Sequence, residues 1–276
     1  VLHAGRIVYT NDLPIYAAFD DGALAFPGTL EADVPAKLNA KLLAGELALS
    51  PISAFFYAKH ASELALMPNI CIGSRKNVWS VILASRKHPS ELDGVPVAVT
   101  TESASGRNLL RVLLERRYGI AAQFVETADP LASAQAGHPT LLIGDLAIDA
   151  QFALPPDRVH DLGALWHEWT GEDMVFAVWA VRRDVLARNH DRVLEAIAAL
   201  DRARAWGAAH RERVVELAQA TRRRPAGFYA SYYDTLNFSF DERAQAGLRR
   251  FIAELAAAGA VEGTAQAHPE EILVSR

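Results

Sequence analysis

The chain has 276 residues, of which 51% are hydrophobic and 22% charged, with a net charge of -5 and one cysteine. This balance is near the globular average and excludes disorder, collagen-like repeats and a disulfide scaffold. It offers no overall positive field for nucleic acid or anionic lipid, and no apolar run approaches the roughly 20 residues of a membrane span.

The chain enters strand-like sequence almost at once, with a strand predicted over 7–10. No signal-peptide pattern precedes it, so a cytoplasmic location is expected. A helix follows over 35–44, with Leu38 and Leu42 four apart and Gly45 as the stop. A short strand over 47–50 runs into a helix starting near Pro51. The run 78–85 reads as a longer strand. After the break at 88–94 a second alternating series begins. It has strands over 95–100, 123–125, 140–144 and 159–162, and a helix over 106–118 with Leu109, Leu110, Leu113 and Leu114 on one face. Another long strand is expected over 175–181. Beyond Arg183 the pattern reads as purely helical, over 184–205, 210–223 and 241–258.

Alternating strands and helices argue a parallel α/β architecture. The long strands over 78–85 and 175–181 flank the middle block and suit two crossings between lobes. We therefore expect a two-lobed type II periplasmic-binding-protein-like α/β fold with the ligand cleft between lobes. Lobe 1 is expected to be discontinuous, 1–85 plus 182–276, with lobe 2 inserted over 86–181.

Ligands of open parallel sheets bind beyond the carboxyl ends of the strands. Four such ends carry small polar residues: Thr10-Asn11-Asp12, Ser50-Pro51-Ile52-Ser53, the stretch from Thr100 to Gly106, and Gly144-Asp145. Three of them lead directly into helices, whose N-termini bind carboxylate or phosphate without a lysine or arginine. Each residue alone is equally an ordinary helix cap. The set as a whole suits a small, anionic, oxygen-rich ligand. No P-loop, dinucleotide fingerprint, zinc spacing or nucleophile elbow is present, and the nine histidines are scattered, so no metal or cofactor is expected. Arg222-Arg223-Arg224-Pro225 reads as a solvated helix end, and Cys71 as buried packing. Trp166, Trp169 and Trp179 read mostly as core, with Trp169 the best placed to face a cleft.

These clusters also form an ordered set. Gly5-Arg6-Ile7-x-Tyr9-x-Asn11-x-x-Pro14 comes first, then Leu49-Ser50-Pro51-Ile52-Ser53 and Leu66-x-Pro68-Asn69-x-x-Ile72-x-Ser74. Val78-x-Ser80-Val81, Ser103-x-Ser105, Leu142-Ile143-Gly144-Asp145 and Asp161-Leu162-Gly163 follow. In this order the sequence resembles the periplasmic-binding-protein-like enzymes of the futalosine route to menaquinone. Within that family it is most similar to the chorismate dehydratase branch. Three features favour that branch over the sister 1,4-dihydroxy-6-naphthoate synthases: the stretch from Trp169-Thr170-Gly171 to Val175-Phe176-Ala177, Tyr232-Tyr233-x-x-Leu236, and Gly247-Leu248-x-x-Phe251. Departures from the family pattern fall at Lys76, at Ser103-Ala104-Ser105 and at Glu172-Asp173-Met174.

The resemblance implies cofactor-free elimination of water from chorismate, a small dicarboxylate. Asn11 and Asp145 are the candidate catalytic residues. Ser50, Ser53, Ser80, Ser103, Ser105, Gly106 and Thr170 are the candidate binding residues. Asp12, Glu102 and Asp145 are the available carboxylates, Asp145 the best placed; the substrate's own enolpyruvyl carboxylate is the other candidate proton acceptor. A non-catalytic solute-binding protein and the effector domain of a transcription factor remain the competing classes. Oligomeric state is not indicated by the sequence.

Overall fold

The structure, a computed structural model, describes residues 1–100 and 104–262. In chain order the strands are β1 (Leu2–Ile7), β2 (Gly28–Asp33), β3 (Leu49–Ser53), β4 (Leu64–Ser74), β5 (Val81–Ala84), β6 (Val97–Val99), β7 (Phe124–Glu126), β8 (Thr140–Ile143), β9 (Val159–Asp161), β10 (Met174–Arg182) and β11 (Leu236–Phe240). They form two sheets, β11-β4-β10-β3-β1-β2 and β7-β6-β8-β5-β9.

The helix Pro35–Ala44 ends as its sequence dictates. Gly45 takes the left-handed conformation at φ 82° and closes the last turn onto the carbonyls of Leu42 and Lys41. Strand β10 is buried over all but its last residue, as its unbroken apolar run requires of a strand covered on both faces. On it sits Trp179, fully buried, whose indole N–H donates to the Tyr16 hydroxyl at 3.0 Å. That hydroxyl donates in turn to the carbonyl of Gly5 at 3.2 Å, which fixes the helix Leu13–Asp20 against β1. Burying the indole therefore costs no unpaired donor.

Several sequence expectations need correction. The architecture is mixed, not parallel. β1 runs parallel to β2 and β3, but β10 is antiparallel to β3 and β4, and β5 is antiparallel to β8 and β9. The strands at the expected crossings also belong to the opposite sheets from those anticipated. β5 lies in the five-stranded sheet and β10 in the six-stranded one, so the chain crosses within 75–80 and again within 171–173. The sequence does contain a strand beyond Arg183. β11 pairs antiparallel with β4, a long strand that the reading by periodicity passed over. Pro51 does not start a helix but sits within β3, and the helix begins at Ala54. The expected helix over 184–205 is two, Arg183–Arg188 and His190–Ala209, broken at Asn189.

Candidate active site

A cavity lies between the two sheets. The six-stranded layer contributes Tyr9, Asn11, Ser53, Ile72 and Phe176, and the five-stranded layer contributes Ser80, Ser105, Gly106, Ile143 and Gly144. Among the described residues that line it, none has a charged side chain.

Asn11 reaches this space because β1 ends at Ile7 and the chain turns through Thr10–Asp12 before Pro14 opens the next helix. Its side-chain carbonyl oxygen is buried and has no hydrogen-bond partner among the described residues. A buried acceptor left unpaired costs roughly 1–3 kcal/mol, a cost that a donor on a ligand would relieve. Ser53 caps the helix Ala54–His60, its hydroxyl accepting from the N–H of Phe56 at 3.1 Å. Ser105 sits in the first turn of the helix Ala104–Val112 and ties the two layers together. Its hydroxyl donates to the carbonyl of Phe176 at 2.9 Å and accepts from the N–H of Phe55 at 3.2 Å.

Ser80 is positioned by an assembly that the spacing of residues could not reveal. Trp79, just before it, holds φ at 60°, a left-handed backbone that a bulky residue rarely adopts. The carboxylate of Asp161 holds that turn, accepting from the N–H groups of Val78 at 3.0 Å and Trp79 at 2.7 Å while also capping the helix Leu162–Thr170. Burial raises the pKa of Asp161, and these backbone donors oppose the rise. The Trp79 ring stacks on Tyr232, centroids 6.2 Å apart. Gly163 permits the close approach of the crossing segment 75–80, because a Cβ there would lie 2.5 Å from the carbonyl oxygen of Lys76.

Asp145 does not line this cavity. It stands at the start of the helix Gly144–Ala153, where it accepts from the Thr10 hydroxyl at 2.9 Å and lies 3.5 Å from the Arg224 guanidinium. Arg224 is not solvated as its sequence suggested. Its side chain is 5% exposed, and it pairs with Asp149 and donates to the carbonyl of Asp145 at 3.1 Å. Arg222 pairs with the same Asp149. Together they form a latch between the loop after Thr221 and a helix of the five-stranded layer.

Of the other expected binding residues, Ser50 is buried behind the cavity wall, its hydroxyl donating to the carbonyl of Pro51 at 2.9 Å. Thr170 is not among the lining residues, and its hydroxyl donates to the carbonyl of Trp166 within its own helix. Trp169 packs edge-on to Trp166 and does not line the cavity. Ser103 and Glu102 lie outside the described residues.

Asp12, the neighbour of Asn11, is fully buried, and neither carboxyl oxygen has a hydrogen-bond partner among the described residues. Its nearest cation is Arg6, at 4.0 Å, itself engaged with Asp20. Burial outweighs that attraction and pushes the Asp12 carboxyl up to about 8.

Among the described residues, no cluster of three or more His, Cys, Asp or Glu could hold a metal ion, and no helix is long and apolar enough to cross a membrane.

A family model described as menaquinone biosynthesis matches residues 2–257. A curated chorismate dehydratase of Thermus thermophilus is 38% identical over 166 residues, 55% of this chain and 60% of that protein, so the match spans less than two thirds of the relative. Among solved structures, the periplasmic aliphatic sulphonate binding protein SsuA of Escherichia coli superposes with a TM-score of 0.69 at 15% identity, covering 100% of this chain and 92% of the other. The alkanesulfonate-binding SsuA of Xanthomonas axonopodis gives 0.70 at 14%, covering 97% and 96%. The fold is thus the α/β fold of the periplasmic binding proteins, with the cavity between its two sheets.

Proposed function

The chain belongs to the menaquinone biosynthesis family, and from that premise we propose that it is a chorismate dehydratase, a lyase needing no cofactor. Its reaction removes water from chorismate to give 3-[(1-carboxyvinyl)oxy]benzoate. The observation that carries this reading to the residues is the buried, unpaired Asn11 carbonyl at a cavity lined by hydroxyls and helix N-termini.

Chorismate presents a ring carboxylate, an enolpyruvyl ether and a neighbouring hydroxyl. Breaking the C–H bond at the ether-bearing carbon and the C–O bond of the hydroxyl aromatises the ring. The departing proton and hydroxide leave as water. Proton removal is the difficult step, and the developing charge spreads through the diene onto the ring carboxylate. The N-terminus of the helix Ala104–Val112, with Gly106 in its first turn, suits that anion without a cation. Asn11 and Ser80 orient the leaving hydroxyl and the ether arm. Ser53 and Ser105, already bonded to backbone, shape the site and keep the helices in place.

No protein carboxylate is needed as base. The substrate's own enolpyruvyl carboxylate takes the proton once the enzyme has fixed the conformer. Asp145, with Thr10 and Arg224 on its oxygens, serves closure of the two layers as lobes.

Incubation of the purified protein with chorismate, without metal or nucleotide, tests this directly. The expected result is loss of diene absorbance and an aromatic product lighter by one water. Asn11→Ala is expected to lower kcat about 100-fold with the fold intact, the size of a lost transition-state hydrogen bond. Tight binding of chorismate without turnover would instead identify a binding protein. Turnover of cyclic de-hypoxanthine futalosine alone would identify the sister synthase.

A further inference from the structure

A second cavity, of about 390 Å³, lies outside the cleft just described. It is bounded by the helix His190–Ala209, the start of the helix Arg211–Thr221, the segment Tyr233–Ser239 and the first crossing between the sheets. Among the described residues, three arginines line it, against one carboxylate, Asp234.

The three cations are differently engaged. Arg211 donates to Asp234 at 2.6 Å. Arg204 donates from Nη1 to the Ser239 hydroxyl at 3.0 Å, while its Nε is buried with no partner among the described residues. Arg75, on the crossing segment, makes no ion pair or hydrogen bond among the described residues. Like charges gathered around a concavity repel, and an unpaired buried guanidinium N–H costs free energy. An anion with several oxygens would offset both costs, since guanidinium forks match carboxylate and phosphate geometry. Asn237, which is buried, and the Ser239 hydroxyl add polar groups to the wall.

We propose that this cavity is a second ligand site, built for a small multivalent oxyanion carrying phosphate or carboxylate groups. It is coupled to the cleft through residues that adjoin it in the chain, although no described residue lines both. Tyr233 lines the cavity and donates its hydroxyl to the carbonyl of Thr10 at 2.9 Å, one residue before Asn11. Pro14, on the same side, packs so closely on Gly207 that a Cβ there would lie 2.1 Å from the Pro14 carbonyl oxygen. An anion joining Arg75 to Arg204 ties the crossing segment to the helix His190–Ala209, and so biases closure of the cleft. Only this kinetic consequence rests on the proposed dehydration; binding does not.

The test is calorimetric titration with two probes, pyrophosphate and citrate, at constant ionic strength, on the full chain and on Arg75→Ala, Arg204→Gln and Asn11→Ala. We expect saturable binding of at least one probe, weakened at least tenfold by Arg75→Ala and by Arg204→Gln and unchanged by Asn11→Ala. The preferred probe assigns the natural ligand to the phosphate or the carboxylate class. Arg75 is exposed and unpartnered, so its variant tests the site without threatening the fold. Absence of saturable binding, or equal binding by wild type and Arg75→Ala, overturns the proposal. Loss of binding in Asn11→Ala alone also overturns it, because the anion then sits in the cleft. These readouts need no turnover, so a chain inactive on chorismate leaves the test intact.

Discussion

Arg224→Gln is the substitution that bears most directly on closure. Its guanidinium is 5% exposed and holds Asp149 and the carbonyl of Asp145 across the two layers. It also lies 5.9 Å from the ring centre of Phe152. Charge-assisted hydrogen bonds contribute about 1.5–3 kcal/mol each, and Asp149 keeps Arg222 when Arg224 is gone. The net loss to the closed form is therefore about 3 kcal/mol, or roughly 100-fold in the closed-to-open ratio. Apparent affinity scales with the population of the competent form, so KM for chorismate is expected to rise by up to about 100-fold. Solution scattering should show an expanded form in the absence of substrate. The lysine variant keeps the charge without the fork and is expected to fall between. An unchanged KM together with an unchanged scattering profile would refute the assignment of Arg224 to closure.

Three further outcomes follow from single groups. Gly144 holds φ at 58°, and a Cβ there would lie 3.2 Å from the Tyr9 ring, so Gly144→Ala is expected to cost about 1–3 kcal/mol in urea unfolding and to narrow the cleft. Asp12 keeps its proton in the folded chain up to about pH 8, whereas an unfolded aspartate releases it near about 4. Its contribution to stability is therefore full below about pH 4 and is lost as pH rises toward 8; Asp12→Asn should reduce the loss of stability between about pH 5 and about pH 7.5 by up to about 3 kcal/mol, measured by urea unfolding. Cys71 is fully buried and burial raises its thiol pKa far above the usual range, so it should resist a thiol reagent at neutral pH until the chain is unfolded.

Local pattern alone determined much of this protein. The helix Pro35–Ala44 and its Gly45 stop, and the buried run of β10, follow from residue spacing within one element. The polar strand ends around Asn11, Ser53, Ser105 and Gly144 were legible for the same reason, since strand ends in open sheets are where backbone and small side chains are free, whereas Ser80 lay within a predicted strand and entered only through the family resemblance. Sheet membership was not legible. Whether β5 and β10 lie in one sheet or the other depends on pairing with partners far away in the chain, and an apolar run fits either. β11 was hidden by its helical neighbours, although Leu236, Phe238 and Phe240 alternate as a strand does. The same limit hid the latch: Arg224 looks like a solvated helix end until the fold brings Asp149, 75 residues earlier, against it. Periodicity is a property of neighbours within an element and can be read from the chain, whereas the burial of a charge depends on which distant partner the fold supplies. That pairing, and with it closure of the cleft, is decided by tertiary structure alone.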